Sequence, residues 1–216
     1  MSRYNTISNT PVDREHVMFN HCTWDDAYTT EEIDKISNYC FNLTTQPGTI
    51  KENKEKTLDD SIRKSDIAFV HYDNKNEDTR WFFHKTNNLI RSMNDMFYQF
   101  DLNGYDYFQY GEYDGNKKSK YDYHFDIAYG TSDDPMRYVS GHRKLSFVLC
   151  LSDSSDYEGG KFLIDLGSKG LKKPIEIEQK KGRMIAFPSF ILHKVSEVTS
   201  GKRKSIAIWT TGPKFK

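Results

Sequence analysis

A histidine and a carboxylate two positions apart, His124 and Asp126, share one face if they lie on a strand, and can then grip one ion. His193 closes the apolar run 183–193, so a second imidazole arrives from a buried segment where an unpartnered ring would be costly. Two nitrogens and one oxygen on one side of a metal leave the other side open, the facial arrangement used in non-haem Fe(II) oxygen chemistry. Arg203 and Ser205 fall on one strand face with Ala207 and Trp209, while Ile206 and Ile208 fall on the other. A guanidinium so rooted needs an anion, and its fork fits a carboxylate in bidentate fashion, with the Ser205 hydroxyl as a second donor. Plainer readings stand beside these. A His-x-Asp tripeptide can be an exposed strand histidine beside a charge, and Arg203 can pair with a protein carboxylate or sit solvated between Lys202 and Lys204.

The elements that must position these residues change character along the chain. Residues 1–15 read as a polar arm, and Thr29-Thr30-Glu31-Glu32 as a capping box opening a helix through Ile33, Ile36, Tyr39 and Cys40. The Lys/Glu-rich stretch 51–60 reads as a solvated loop and 62–72 as a strand. After a polar loop over 73–79, the stripe Phe82, Leu89, Ile90, Met93 and Phe97 predicts a helix over 81–97. From about residue 105 the pattern is of strands: 105–110, 121–128, 145–151, 161–164, 174–178, 183–187, 191–195 and 204–209. Helices first and about eight strands later predict a mainly β protein with flanking helices, a jelly roll with helices packed outside it. The connection 130–142 reads as a binding element or a plain surface loop. Tyr105, Tyr107, Tyr110, Tyr121 and Tyr123 either line a substrate groove or pack a sheet. His16, His21 and His84 have no constellation around them, His71 falls in the Ile67–Phe69 strand pattern and His142 at a loop end, and none of the five is assigned to the metal.

The 216 residues suit one domain over 1–216, with 1–104 as mainly helical support and 105–212 as the core that carries the site. Lysine plus arginine equals aspartate plus glutamate at 31 each, so nothing global steers the chain toward nucleic acid or a membrane. Cys22, Cys40 and Cys150 are too few and too scattered for a disulfide framework or a cysteine zinc site. With no apolar leader and no apolar span, the expected setting is cytoplasmic and reducing. The oligomeric state is not legible.

Beyond the isolated residues, an ordered series of motifs resembles the prolyl 4-hydroxylase-like branch of the 2-oxoglutarate/Fe(II) dioxygenases, bacterial and phage-like members above all. The series is Tyr113-Asp114-Gly115, Tyr121-Asp122-Tyr123-His124-Phe125-Asp126, Arg143-Lys144-Leu145-Ser146-Phe147-Val148-Leu149, Tyr157-Glu158-Gly159-Gly160-Lys161-Phe162, Gly182-Arg183-Met184-Ile185-Ala186-Phe187-Pro188-Ser189, His193 and Gly201-Lys202-Arg203. The resemblance covers roughly 105–212 and implies a double-stranded β-helix, or cupin-like, core. It implies that His124, Asp126 and His193 bind Fe(II), that Arg203 pairs with the distal carboxylate of 2-oxoglutarate, and that Tyr113 hydrogen-bonds to that co-substrate. The reaction so implied consumes O2, converts 2-oxoglutarate to succinate and CO2, and hydroxylates a substrate, with ascorbate as an accompanying reductant. A prolyl residue in a peptide or protein is the first expectation for that substrate. A free amino acid or small metabolite, or a non-oxidative cupin-like metal-binding module, is the alternative.

Overall fold

Strands that meet protein on both faces need apolar side chains on both, and that is how 184–188 and, apart from Ser146, 145–151 are built. Leu145, Phe147, Leu149, Met184 and Ala186 join one buried cluster; Val148, Cys150, Ile185 and Phe187 join another on the opposite side. The computed structural model describes residues 19–52, 55–127, 142–167 and 173–213. Two antiparallel sheets account for this two-sided burial.

The larger sheet runs in the order β1 (Cys22–Trp24), β13 (Met184–Pro188), β9 (His142–Cys150), β15 (Val198–Gly212), β7 (Gly104–Asp114), β6 (Asp66–Val70) and β2 (Gln46–Pro47), with β10 (Tyr157–Gly159) pairing against β15. The smaller is β12 (Ile175–Ile177), β11 (Phe162–Asp165), β14 (Leu192–Val195), β8 (Lys120–His124) and β5 (Arg63–Lys64). Phe162, Ile164, Ile177 and Val195 of the smaller sheet pack with Val148, Ile185 and Phe187 of the larger, forming the jelly-roll interior. The outer face of the larger sheet carries Phe108, Phe147, Leu149, Ile206 and Ile208, which bury the helices α1 (Thr30–Phe41) and α2 (Glu77–Met93) through Ile33, Ile36, Phe82, Ile90 and Met93. A mainly β jelly roll with helices outside it is therefore what the chain forms.

The capping box opens α1 as expected: the Thr29 Oγ1 accepts from the Glu32 amide at 3.3 Å, and the Glu32 carboxylate accepts from the Thr29 amide at 2.9 Å. Elsewhere the boundaries differ. The second helix starts at Glu77 rather than residue 81, because Asn76 caps it through the Asp78 amide at 2.9 Å and acidic Glu77 and Asp78 suit a helix N-terminus. An apolar stripe does not register such a polar first turn. The helix ends in a π-helical turn, Asn94–Tyr98. The charged stretch 51–60 is not all loop, since β3 (Ile50–Glu52) and β4 (Glu55–Thr57) pair antiparallel. The strand expected over 62–72 is two short strands in different sheets, so the first 104 residues supply strands as well as helices. Among the described residues, nine strands follow residue 103, close to the eight expected there, and six more precede it. The connection 130–142 lies outside the described residues up to residue 141.

Candidate active site

His124 closes β8 and lies directly across the ladder from His193 of β14, so main-chain pairing brings the two imidazoles together. The ligand atoms of His124, Asp126 and His193 all lie within 4.8 Å of one another. The His124 Nε2 is 3.7 Å from one Asp126 carboxylate oxygen, and the His193 Nε2 is 3.5 Å from the other. Each ring sends its Nδ1 to a backbone carbonyl, His124 to Asp122 and His193 to Ile191, both at 2.8 Å. A carbonyl only accepts, so each Nδ1 must carry the proton, and both Nε2 lone pairs are left for a metal.

Asp126 is not held by a strand, contrary to the expectation from spacing. β8 ends at His124, and Asp126 lies in the bend beyond it. Its amide and that of Ile127 both donate to the Ser189 carbonyl, at 3.0 and 3.1 Å, and Arg143 donates to the Asp126 carbonyl at 3.2 Å. These bonds replace ladder pairing and turn the carboxylate toward the same point that strand alternation would have given. Burial and the neighbouring His193 push the His124 imidazole down to about 3, keeping it neutral. Burial alone would raise the Asp126 carboxyl, but His193, His124 and Arg143 bring it below the ordinary carboxylate range. Neutral imidazole and ionised carboxylate are the forms a divalent ion takes, and this N,N,O donor set fits Fe(II) with positions to spare.

Arg203 comes up from β15 on the inner face and is only 2% exposed. Among the described residues no carboxylate lies within ion-pair distance of it. Instead its Nε donates to the Gln179 Oε1 at 2.7 Å and its Nη1 to the Ser205 Oγ at 3.0 Å. Its guanidinium lies 5.1 Å from the centre of the Tyr113 ring. Because the Ser205 oxygen accepts from Arg203, its own hydrogen is available to another acceptor. A buried cation with neutral partners is costly until an anion joins it. Arg203, Ser205 and Tyr113 line one cleft with His124, Asp126 and His193, enclosing about 450 Å³ of empty space that is partly open to solvent. The Trp209 indole N–H, buried in that wall, has no acceptor among the described residues, which an oxygen-bearing ligand would relieve.

The tyrosines divide. Tyr121 lines the cleft, stacked on His124 at 3.5 Å between ring centres. Tyr105 and Tyr110 pack the opposite side of the sheet, their hydroxyls donating to Asn87 and Glu112. Tyr123 sits under Lys194, and the Tyr107 side chain is outside what is described. Two site residues were not singled out from sequence. Arg63 of β5 sits 4.5 Å from the centre of the Tyr121 ring and donates to Gln109 at 2.8 Å, and Gln179 holds Arg203. Neither belongs to a spaced motif; both matter only through tertiary contact. A second cavity, between α1, α2 and β6, is lined mainly by apolar side chains, and its Lys35 and Asp78 pair with each other at 2.9 Å.

Residues 108–211 match the model of the 2OG-Fe(II) oxygenase superfamily. Curated relatives include PKHD-type hydroxylases of a Synechococcus species, 38% identical over 93 residues, and of Prochlorococcus marinus, 36% identical over 94. Those matches take in 43% and 44% of this chain and 37% of each relative, so the chain spans well under half of their length. Among solved structures, a Pseudomonas putida prolyl-4-hydroxylase superposes with a TM-score of 0.67 at 16% identity, covering 90% of this chain and 94% of that one. A Trichoplax adhaerens prolyl hydroxylase, solved with a hypoxia inducible factor peptide fragment, also gives 0.67 at 18% identity, covering 89% and 83%. A viral collagen prolyl hydroxylase from Paramecium Bursaria Chlorella virus-1, solved with 2OG, gives 0.62 at 18%, covering 90% and 97%. Such likenesses speak for the fold. The matched segment, a little under half of the chain, holds the whole His-Asp-His cluster and Arg203, and over residues 108–211 the chain is similar to the 2OG-Fe(II) oxygenase superfamily.

Proposed function

We propose that this protein is a 2-oxoglutarate- and Fe(II)-dependent dioxygenase that hydroxylates a prolyl residue of a peptide or protein, releasing succinate and CO2. His124, Asp126 and His193 hold the iron in this reading, and Arg203 takes the distal carboxylate of 2-oxoglutarate, with Ser205 and Tyr113 completing its polar surroundings. Bound iron supplies the activation of O2. The chain's own residues bind, orient and exclude water: the backbone carbonyls of Asp122 and Ile191 fix the ring tautomers, and Phe162 and Phe187 pack against His193. The observation that carries the reading is Arg203, a buried guanidinium beside a three-ligand cluster with no carboxylate partner among the described residues. A hydrolytic metal site has no use for such a clamp, which sets the non-oxidative cupin-like alternative aside.

The peptidyl substrate is supported by the Trichoplax adhaerens structure with its peptide fragment and by the partly open cleft. A reducing, cytoplasmic setting belongs to the same reading, supported by three unpaired thiols. Among the described residues no helix is long and apolar enough to cross a membrane. The test is a titration of the Mn(II)-loaded protein with 2-oxoglutarate. Arg203→Ala should weaken that binding about 100-fold, as loss of two charge-assisted hydrogen bonds implies, with Mn(II) affinity little changed. Equal 2-oxoglutarate affinity in wild type and Arg203→Ala would defeat the assignment. Succinate formation that requires O2, and a gain of one oxygen in candidate peptides by mass spectrometry, extend the test to the substrate.

A further inference from the structure

The position of Arg203 depends on a side chain outside every motif. Gln179 lies just past the edge strand β12 and is only 7% exposed. Its Oε1 accepts from the Arg203 Nε at 2.7 Å, and its Nε2 donates to the Gly160 carbonyl at 2.9 Å. A guanidinium can only donate and a carbonyl can only accept, so these two partners fix the orientation of the amide. Gly160 is itself held close. It has φ +58, and a Cβ there would meet Val198 at 2.9 Å, Tyr157 at 3.0 Å and Arg203 at 3.1 Å. The amide thus ties the arginine to a backbone position with no slack.

We infer that Gln179 is the positioning residue for the carboxylate-binding arginine, and that its neutrality keeps the Arg203 charge available to the co-substrate. The inference rests on the proposed 2-oxoglutarate reading. Two physical points carry it. The single Nε hydrogen is occupied by Gln179, so a carboxylate must be gripped through the Nη edge, beside the Ser205 hydroxyl. An anionic acceptor in the same place would supply the countercharge that Arg203 lacks, and would compete with any incoming dicarboxylate. Glutamine offers the same acceptor geometry without that charge.

The experiment compares wild type, Gln179→Glu and Gln179→Met as Mn(II)-loaded full chains, titrated with 2-oxoglutarate and separately with Mn(II). Gln179→Glu should keep Mn(II) affinity but bind 2-oxoglutarate at least about tenfold more weakly, with a raised KM for 2-oxoglutarate and a nearly unchanged kcat. Gln179→Met, near in volume but without an acceptor, should lose about three- to tenfold in the same direction, and carries the test if the glutamate variant does not fold. Glutamate and methionine variants that bind 2-oxoglutarate within twofold of wild type would overturn the inference and leave the proposed function standing. So would parallel losses of Mn(II) and 2-oxoglutarate binding, which mark a merely structural role. Failure of the wild type itself to bind 2-oxoglutarate would bring down both.

Discussion

Asp126 differs from the two histidines in how it is held. Their rings are placed by strand pairing, whereas its carboxylate is placed by two amide bonds to Ser189 and one from Arg143 to its carbonyl. It is also the one anion of the cluster, so on the proposed reading its removal takes away both a donor atom and half the charge compensation of a divalent ion. Asp126→Ala should lower Mn(II) affinity by at least about 100-fold and abolish 2-oxoglutarate-dependent succinate formation, measured by metal titration and product assay. Loss of succinate formation with full metal affinity would instead place Asp126 outside the metal's ligands. The identities of His124, His193 and Arg203 were legible because alternation and apolar flanks mark side chains that enter an interior. Asp126 was legible for a partly wrong reason, since the strand stops short of it. Gln179 and Arg63 were not legible, because a polar residue in Glu178-Gln179-Lys180 or at the start of a short strand looks like solvated surface until a distant segment covers it.

At the scale of elements, local and tertiary forces can be separated by experiment. The Thr29 capping box satisfies amides at the start of α1, far from the cleft. Thr29→Ala should cost about 1 kcal/mol in denaturant unfolding and leave 2-oxoglutarate affinity unchanged. Phe147, fully buried between the larger sheet and the helices, also borders the cleft, so Phe147→Ala should cost about 3–5 kcal/mol and disturb binding as well. Equal effects of the two on binding would contradict this division. The strands with strong apolar patterning were legible in place and kind. The pairing of β3 with β4 was not, because Lys51, Glu52, Glu55 and Lys56 give no apolar alternation. The first turn of α2 escaped for a similar reason, being fixed by a cap and acidic residues rather than by a buried stripe.

Across the whole molecule, two buried clusters lie on either side of one sheet, and the three cysteines are spread among them. Burial pushes the thiols of Cys22 and Cys150 up to about 11 and that of Cys40 up to about 12. None should therefore react with a disulfide reagent at pH 8 in the native protein, and all three should react after denaturation, which a spectrophotometric thiol count decides. A jelly roll was legible as a whole because its strands follow one another in the sequence with turns between them. What escaped was how far the amino-terminal half reaches into the chemistry. Arg63 lies 4.5 Å from the centre of the Tyr121 ring and His124 stacks on that ring at 3.5 Å, so a cation, a phenol ring and an imidazole are in contact. The Arg63 charge adds a little to the downward push that burial and His193 exert on the His124 imidazole. On the proposed reading, in which His124 holds the iron, Arg63→Gln would alter the charge felt by the ion from a short strand far upstream, without touching anything bonded to it.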